Sequence, residues 1–310
     1  MHSVVAFTVF GVDWEFLKPY IVFGLALGGA YALSGVGIVV LYQATGVLNL
    51  AFGAVGAAGA LISYYLINHQ PGVPEWLALL ACVAFGGAVT LLYGVVLGPA
   101  FAGRDPLVKM MGTLALALIL LGLMAWRAPA GGAFNRVLTL PTSNHRYSLF
   151  GAVVNLTQVL ALVFAVVLTV GTTLFLKHTN LGTAYRAVAT DREITAMLGV
   201  PVRRVEASAW LGSGIICGAA GLILADLYTT LDYSALTFLV ISSLAAALIG
   251  RLRSLTATLL GGLTVGLVQA LLTPYESVTQ YRTAAPFVLS IIALLWLGRH
   301  RVVVFSKTAR

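Results

Sequence analysis

Apolar residues in this chain occur in long runs separated by short polar segments. A helix that crosses a bilayer needs about 20 mostly apolar residues. Nine runs approach or reach that length: 20–42, 47–68, 76–98, 107–127, 153–176, 205–227, 235–250, 256–273 and 283–298. The seventh is short for a full crossing, and the second begins in the glycine-rich stretch 46–60, where a broken helix is expected. The pattern predicts an all-α, polytopic integral membrane protein with about nine transmembrane helices (eight to ten) in a single domain over 1–310.

The basic residues between these runs predict the orientation of the chain. Lysine and arginine are enriched in cytoplasmic loops. If the N-terminus lies outside, the outer segments hold five of the 18 basic residues, namely Lys18, Arg127, Arg136, Arg146 and Arg282. The inner segments hold the other thirteen, namely Arg104, Lys109, Lys177, Arg186, Arg192, Arg203, Arg204, Arg251, Arg253, Arg299, Arg301, Lys307 and Arg310. The prediction is therefore an external N-terminus, a cytoplasmic C-terminus, a cytoplasmic loop at 177–204 and a long extracytoplasmic loop at 128–152, whose Gly, Pro, Ser and Asn content argues against another span.

Composition narrows the class further. Only 9% of the 310 residues are charged and 60% are apolar, whereas soluble domains are about one quarter charged. The net charge of +8 does not indicate a nucleic-acid partner, because the basic residues form short clusters between apolar runs. Cys82 and Cys217 each lie inside an apolar run and are expected to be small buried side chains. The scattered histidines form no pair at ligand spacing, so no metal site is predicted.

The stretch 186–200, RAVATDREITAMLGV, is an unusually polar helix in this apolar chain. Thr190 and Glu193 have the spacing of a capping box. Gly199 suits a left-handed position after the last turn, and Pro201 prevents continuation. These signals predict a helix from Asp191 to Leu198, preceded by a second short helix over 183–189. Ile194, Met197 and Leu198 form one apolar stripe, which indicates either a linker helix lying on its own membrane domain or a helix that docks into a groove of a cytoplasmic partner.

Missing motifs limit how such a protein could obtain energy. The chain has no Gly-x-x-x-x-Gly-Lys-Ser/Thr phosphate loop, and its spans carry no carboxylate pair, with Asp226 at a helix end the nearest candidate. Proton-driven carriers usually need buried ionisable groups. A transporter of this kind is expected to take energy from a partner at its cytoplasmic face. The alternatives are a stand-alone secondary transporter, a passive channel, although no Asn-Pro-Ala occurs, and a membrane enzyme, although no acid, base or nucleophile cluster is visible.

Three segments resemble the permease subunits of ATP-binding-cassette importers for branched-chain amino acids. RAVATDREITAMLGVPVRRVEA is similar to the coupling loop of that family, GLALGGAYALSGVGIVVLYQATGVLNLAFGAVGAAGA to its first helices, and LLGGLTVGLVQAL to its late Gly-Gly helix. The resemblance implies a non-catalytic subunit of a bacterial cytoplasmic membrane. Its expected partners are a second permease subunit (a paralogue, in a heterodimer), two cytoplasmic ATPase subunits that hold ATP and magnesium, and an extracytoplasmic solute-binding protein. It also implies an ATPase-coupling role for Arg186, Asp191, Glu193, Ile194, Met197, Leu198 and Gly199.

Two departures from the family pattern affect the expected substrate. The family usually has Asn-Phe-Ala-His-Gly-Glu where this chain has NLAFGA at 49–54, so that Phe52 and Ala54 replace two polar residues. Where the family has a glycine-rich turn, Gly-Ser-Ile-Pro-Gly, this chain has GRLRSLTA at 250–257. The resemblance implies branched-chain or other hydrophobic amino acids as substrates, with urea, amides and aromatic or organic acids as alternatives. A less polar path would suit a more hydrophobic or aromatic solute, or one without an ammonium group.

Polar residues near the end of the first helix are candidates for the substrate path, because an interrupted helix exposes backbone groups that can hold a polar solute. The predicted path residues are Tyr42, Gln43, Thr45, Asn49, Phe52 and Gln269. The structural alternative is that Asn49 caps a helix or bonds between helices, and that Gln269 bonds between helices.

Overall fold

A computed structural model describes residues 8–9, 12–69, 73–101, 104–128, 137–138, 140, 142, 146–149, 152–228 and 231–298. The helices are α1 (Trp14–Thr45), α2 (Phe52–His69), α3 (Glu75–Val96), α4 (Pro106–Arg127), α5 (Leu156–His178), α6 (Asn180–Thr190), α7 (Arg192–Met197), α8 (Val202–Leu227), α9 (Tyr233–Phe238), α10 (Val240–Ile249), α11 (Leu255–Leu272), α12 (Glu276–Thr279) and α13 (Ala285–Gly298). Two short antiparallel hairpins accompany them, β1 (Thr8–Val9) with β2 (Val12–Asp13) and β3 (Arg146–Leu149) with β4 (Ala152–Asn155).

The long helix α1 forms the centre of the bundle. It packs against α5, α8, α10 and α11, and nearly all of its apolar part is buried. In contrast, α3, α4 and α5 turn most of their surface outward, and the exposed side chains there are apolar, such as Leu92, Leu118 and Val167. An outward-facing apolar surface of this kind is what a lipid environment requires. The described part of the chain is therefore a membrane-type helical bundle built around one buried helix.

Small residues bring α1 and α11 into close contact. A Cβ added at Gly28 would lie 2.7 Å from Leu263 Cα, and one added at Gly24 would lie 2.8 Å from Ala270 Cβ. Near the other end of this seam, Gly35 faces Thr258, so the two helices run antiparallel. The two glycine-rich segments that share a similar spacing in the sequence thus pack directly against each other. Close backbone approach of this type stabilises helix pairs in membranes through van der Waals contact.

A second close seam joins α8 to α2 and α3. Gly221 faces Gly56 of α2, while Gly214 and Gly218 face the backbone of α3. Thr90 Oγ1 donates a hydrogen bond to the Trp210 carbonyl at 2.8 Å across this seam. Cys82 and Cys217 are free, fully buried and bonded to backbone carbonyls of neighbouring helices, as expected for small core residues. The helix α8 is therefore held on two sides by contacts that leave little room for larger side chains.

Each of the nine apolar runs is mainly helical, except that 47–51 are irregular and 153–155 belong to β4, and only part of the predicted span count is confirmed. Six described helices are long and apolar enough to cross a bilayer, and three apolar segments, at 52–68, 233–249 and 285–296, are shorter. The chain over 233–249 is divided at Leu239 into α9 and α10. This agrees with the short seventh run of the sequence. The all-α prediction holds for the bundle, with β1–β2 and β3–β4 as exceptions.

The segment predicted as a long extracytoplasmic loop is tied to the helix ends. Leu140 N donates to Asp226 Oδ1 at 2.8 Å, and Thr142 Oγ1 donates to Glu75 Oε1 at 2.7 Å. The hairpin β3–β4 then leads into α5. Asp226 thus lies at the last turn of α8 and binds a backbone amide there. Residues 129–136, 139, 141, 143–145 and 150–151 of this segment lie outside the described residues.

The bundle has two ends, which we call proximal and distal. Thr45 at the end of α1, Lys109 of α4 and Arg192 of α7 border one small cavity, and this end is the proximal one. Gln43 Nε2 donates to the Arg253 carbonyl at 2.6 Å, so the turn between α10 and α11 also lies here. The ends of α8 and α11 lie at the distal end, beside Arg282. Lys109, Arg192 and Arg253, which are predicted to lie on the cytoplasmic side, are therefore all found at the proximal end. Residues 299–310, with the predicted cytoplasmic C-terminus, lie outside the described part.

Candidate functional site

The polar stretch forms two helices joined by a sharp break at Asp191. Asp191 is extended (φ −154°, ψ 112°), and its Oδ1 accepts hydrogen bonds from the amides of Glu193 and Ile194, both at 2.9 Å. It is therefore the N-cap of α7. The capping box predicted at Thr190 is wrong, because α6 continues through Thr190, whose hydroxyl donates to the Arg186 carbonyl. The sequence misplaced the cap by one residue because α6 is longer than its pattern suggested.

The end of α7 confirms the predicted left-handed glycine. Gly199 has φ +82°. The Val200 amide donates to the Thr195 carbonyl at 3.3 Å and the Gly199 amide to the Ala196 carbonyl at 3.0 Å, which is the Schellman arrangement. Pro201 follows and α8 begins at Val202. This tight connection places α7 directly before the longest helix of the second seam.

The apolar stripe of α7 is exposed. Ile194, Met197 and Leu198 are 57%, 84% and 77% exposed, whereas Thr195 on the opposite side is buried. A linker helix lying on its own membrane domain would bury this stripe, and no described part of the chain covers it. Burying one such side chain is worth about 1.5–3 kcal/mol. An exposed apolar patch at a polar end of a molecule is typical of a protein–protein contact surface.

Three side chains of α6 and α7 hold this segment to the bundle. The Arg186 guanidinium donates to the Leu176 carbonyl at the end of α5 and to Thr183 Oγ1. Tyr185 and Ser208 of α8 share a hydrogen bond of 2.9 Å. Arg192 pairs with Glu206 of α8, with Nε 2.8 Å from Oε1. The exposed stripe is therefore carried on a segment that a hydrogen bond and an ion pair attach to α8.

Sequence reasoning missed Arg192 and Glu206 as a coupled pair. They are separated by a helix break, a left-handed glycine and a proline, so no helical periodicity relates them. The only available signal was that both charges flank the same break in an otherwise apolar chain. Asp191 and Glu193, which the resemblance singled out, are exposed, and only Asp191 has a defined local role as a cap.

Five of the six predicted path residues lie at the proximal end, around the α1–α2 connection. Tyr42 is half-buried, Gln43 binds the Arg253 carbonyl, and Thr45 Oγ1 donates to the Leu41 carbonyl at 2.8 Å. Asn49 is buried, and its Oδ1 accepts from the Ala51 amide at 3.0 Å just before α2. Phe52 is buried against the backbone of α1 at Gly37.

These contacts are mainly structural, in line with the alternative stated for Asn49. Thr113 of α4 reinforces them, because its hydroxyl donates to the Leu48 carbonyl at 3.3 Å and accepts from the Leu50 amide at 3.1 Å. One polar group remains open: Asn49 Nδ2 is buried and has no hydrogen-bond partner among the described residues. A role of this connection in solute passage therefore stays a prediction.

Gln269, the sixth residue, lies at the distal end. Its Nε2 donates to the Arg282 carbonyl at 3.3 Å. Roughly 28 Å of helix axis separates the level of Gly24, which faces Ala270, from Gln43 at the other end of α1. Gln269 therefore shares no site with the other five residues, although it borders a cleft at the distal end.

The distal cleft lies between α1, α8, the α9–α10 break, α11 and the start of α13, and its volume is about 790 Å³. Tyr31 and Tyr228 meet inside it with their hydroxyl oxygens 3.1 Å apart. Arg282 stands at its border, and its charge acts on both hydroxyls. The sequence placed Tyr31 and Arg282 far apart and assigned Arg282 only to topology, so this grouping could not be read from it.

Comparison with known proteins decides which kind of protein has this arrangement. Residues 20–294 match the family described as "Branched-chain amino acid transport system / permease component". The chain belongs to this family. The matched range includes the segment α6–α7, the α1–α2 connection and the distal cleft. The permease is thus a multi-pass membrane protein, and its family is the membrane component of ATP-binding-cassette transporters.

Individual relatives agree with this assignment. The permease is 25% identical over 288 residues to the high-affinity branched-chain amino acid transport system permease protein LivH of Salmonella typhimurium, covering 88% of this chain and 91% of LivH. It is 27% identical over 297 residues to the corresponding protein BraD of Pseudomonas aeruginosa, covering 90% and 95%. A probable LivH of Methanocaldococcus jannaschii is 27% identical over 253 residues, covering 78% and 77%. The similarity therefore extends along nearly the whole chain.

Proposed function

We propose that this permease forms the translocation path of an ATP-driven importer for branched-chain amino acids or chemically related small solutes. The observation that carries the proposal is the exposed stripe Ile194, Met197 and Leu198 on the rigidly held α7. Membership of the permease family and the similarity to LivH and BraD, which are branched-chain amino acid transport permeases, support it. The chain itself has no phosphate-loop motif, and we propose no catalytic role for it.

The expected assembly follows the family. The permease pairs with a second, related permease subunit in the cytoplasmic membrane of a bacterium, its proximal end faces the cytoplasm, and two ATPase subunits bind there. These ATPases, and not this chain, hold ATP and magnesium. An extracytoplasmic solute-binding protein delivers the solute at the distal end. The gathering of basic residues at the proximal end supports this orientation, because such residues favour the cytoplasmic side.

A mechanical route connects the two ends through α8. The ATPases would bind α7, and α7 is connected to α8 by the Arg192–Glu206 ion pair and by the short Schellman turn. The 26 residues of α8 span about 39 Å and end at Leu227 and Tyr228 in the wall of the distal cleft. A shift of α7 on ATPase closure would therefore change the shape of the cleft. In this way the nucleotide state of the ATPases biases the equilibrium between outward-open and inward-open permease.

Reconstitution tests the proposal directly. The permease is placed in liposomes alone and together with the subunits that co-purify with it, and solute accumulation is measured with ATP inside the liposomes. We expect uphill accumulation only with the partners and ATP, and none with the permease alone. Accumulation by the permease alone, driven by a proton or sodium gradient, would establish the secondary-transporter alternative instead.

A further inference from the structure

The distal cleft combines one positive charge with an aromatic wall. Of the described side chains that line it, Arg282 alone is charged. Phe23, Phe238 and Phe287 contribute large apolar surfaces, and both Phe238 and Phe287 are strongly exposed into or beside the opening. An exposed aromatic cluster next to an arginine is a surface that a solute with an apolar body and an anionic group would cover.

Arg282 has a free guanidinium in the part of the chain that the structure describes. No carboxylate there lies within ion-pairing distance of it, and its hydrogen bonds are made by the backbone: its amide donates to the Thr279 carbonyl, and its carbonyl accepts from Gln269 and from the Ala285 amide. Among the acids whose side chains the structure describes, Asp232 is already used as the N-cap of α9, with its Oδ1 accepting from the Ser234 amide at 2.8 Å. A planar guanidinium with open donors matches a carboxylate in bidentate geometry.

The same lining offers no anionic partner to an ammonium group. Besides Arg282, the polar side chains that line the cleft are the amide of Gln269 and the hydroxyls of Tyr31, Tyr228, Ser242, Thr273 and Thr283, all neutral. A cationic group placed beside Arg282 would be repelled by it, and in a partly apolar cleft an unpaired charge is costly. The amino group of an amino acid would therefore have to remain toward the open side of the cleft, where it adds nothing to binding.

We propose that the distal cleft is a binding site for apolar monocarboxylates, in which Arg282 pairs with the carboxylate and the phenylalanine wall holds the hydrocarbon body, with no requirement for an amino group. The inference rests on the proposed function, since it names the class of solute that the translocation path takes. It favours carboxylic acids with aliphatic or aromatic bodies over urea and amides, which carry no anionic group.

Protection of an engineered thiol measures binding in the cleft itself, independently of uptake. Thr283→Cys places a thiol on an exposed lining residue next to Arg282, while the native Cys82 and Cys217 are fully buried and should not react. The full-length permease, purified with its co-purifying subunits in lipid nanodiscs, is treated with a water-soluble maleimide. Three probes with the same branched hydrocarbon body are compared. They are 4-methylpentanoate, which carries only the carboxylate, leucine, which carries both charged groups, and 3-methylbutylamine, which carries only the ammonium group.

We expect saturable protection by 4-methylpentanoate, equal or weaker protection by leucine, and none by the amine. In the Thr283→Cys background, Arg282→Gln should weaken protection by the acid roughly tenfold or more, because a charge-assisted hydrogen-bond pair is lost. Arg282→Lys should retain part of it. Arg127→Gln, which removes an arginine from the separate groove beside α2 and α4, is the matched control and should change nothing. Protection is expressed as a ratio within each variant, so that altered thiol reactivity cancels.

Three results would overturn the inference: tight protection by leucine with none by the acid, unchanged protection in Arg282→Gln, or no protection by any probe up to its solubility limit. A failure here is distinguishable from a failure of the proposed function. If ATP-dependent accumulation of leucine by the assembled importer persists while the cleft binds no carboxylate, the importer assignment stands and only the site is wrong. If the cleft binds the acid but the permease transports solute without an ATPase, the binding site stands and the importer assignment is wrong.

Discussion

Truncating the exposed stripe of α7 should weaken ATPase binding without weakening the permease. Met197 and Leu198 are 84% and 77% exposed in the chain alone. If a partner groove buries them, replacing both by alanine removes about 1.5 kcal/mol each, after allowance for the Cβ atoms that remain. The sum of about 3 kcal/mol corresponds to an affinity loss of roughly a hundredfold. Because neither side chain is buried in the permease, its own stability should change by about 0.5 kcal/mol or less.

The assay measures ATPase-subunit binding to the permease complex in nanodiscs, together with solute-stimulated ATP hydrolysis and the thermal stability of the permease. The matched control is the pair Leu118→Ala and Ile119→Ala on α4, which are 61% and 59% exposed but lie within a predicted membrane span. That pair loses the same kind of surface and should leave ATPase affinity unchanged. Wild-type affinity in the Met197→Ala, Leu198→Ala protein would refute the reasoning, as would an equal loss in the α4 control.

Three further predictions concern the same machinery. Gly199→Val should reduce uptake while leaving the permease inserted and folded, because a β-branched residue at φ +82° costs about 1–2 kcal/mol, and Gly199→Asn should be tolerated better; transport in proteoliposomes checks both. Arg192→Glu should uncouple ATP hydrolysis from uptake by placing two acids together, and adding Glu206→Arg should restore coupling; failure of the swapped pair to rescue would count against the α7–α8 connection. Gly266→Leu should lower stability by about 3 kcal/mol or more through overlap with α1, whereas Gly122→Leu, at an open position, should not, as thermal unfolding in detergent would reveal.

Some features could be predicted closely from the sequence because they depend on neighbours in the chain. The left-handed Gly199 followed by Pro201 is a local stop signal, and the structure has it at that position. Each apolar run is mainly helical, because a segment in lipid must satisfy its own backbone hydrogen bonds. The short seventh run is likewise short and interrupted in the structure. Where the local signal was ambiguous, as at Thr190 and Asp191, the cap was misplaced.

The candidate sites depend on contacts between segments that are distant in the chain, and these contacts could not be predicted from the sequence. Gln269 and Asn49 both appeared as polar residues in apolar surroundings, yet the fold puts them at opposite ends of the bundle. Arg282 appeared as one basic residue in an outer loop, and only the packing of α8 and α11 beside it makes a cleft with Tyr31 and Tyr228.

By itself, the sequence determined that this is a helical membrane protein, which segments are helical, and that a polar helix with an apolar stripe interrupts them. Tertiary structure alone decided that the two glycine-rich segments form one seam, that Arg192 holds Glu206, and that Arg282 stands over an aromatic cleft. The physical reason is that each membrane helix is specified by its own length and apolarity. In lipid no hydrophobic force selects the neighbours of a helix. Helix pairing is instead determined by close van der Waals fit and by a few polar contacts between residues far apart in the chain.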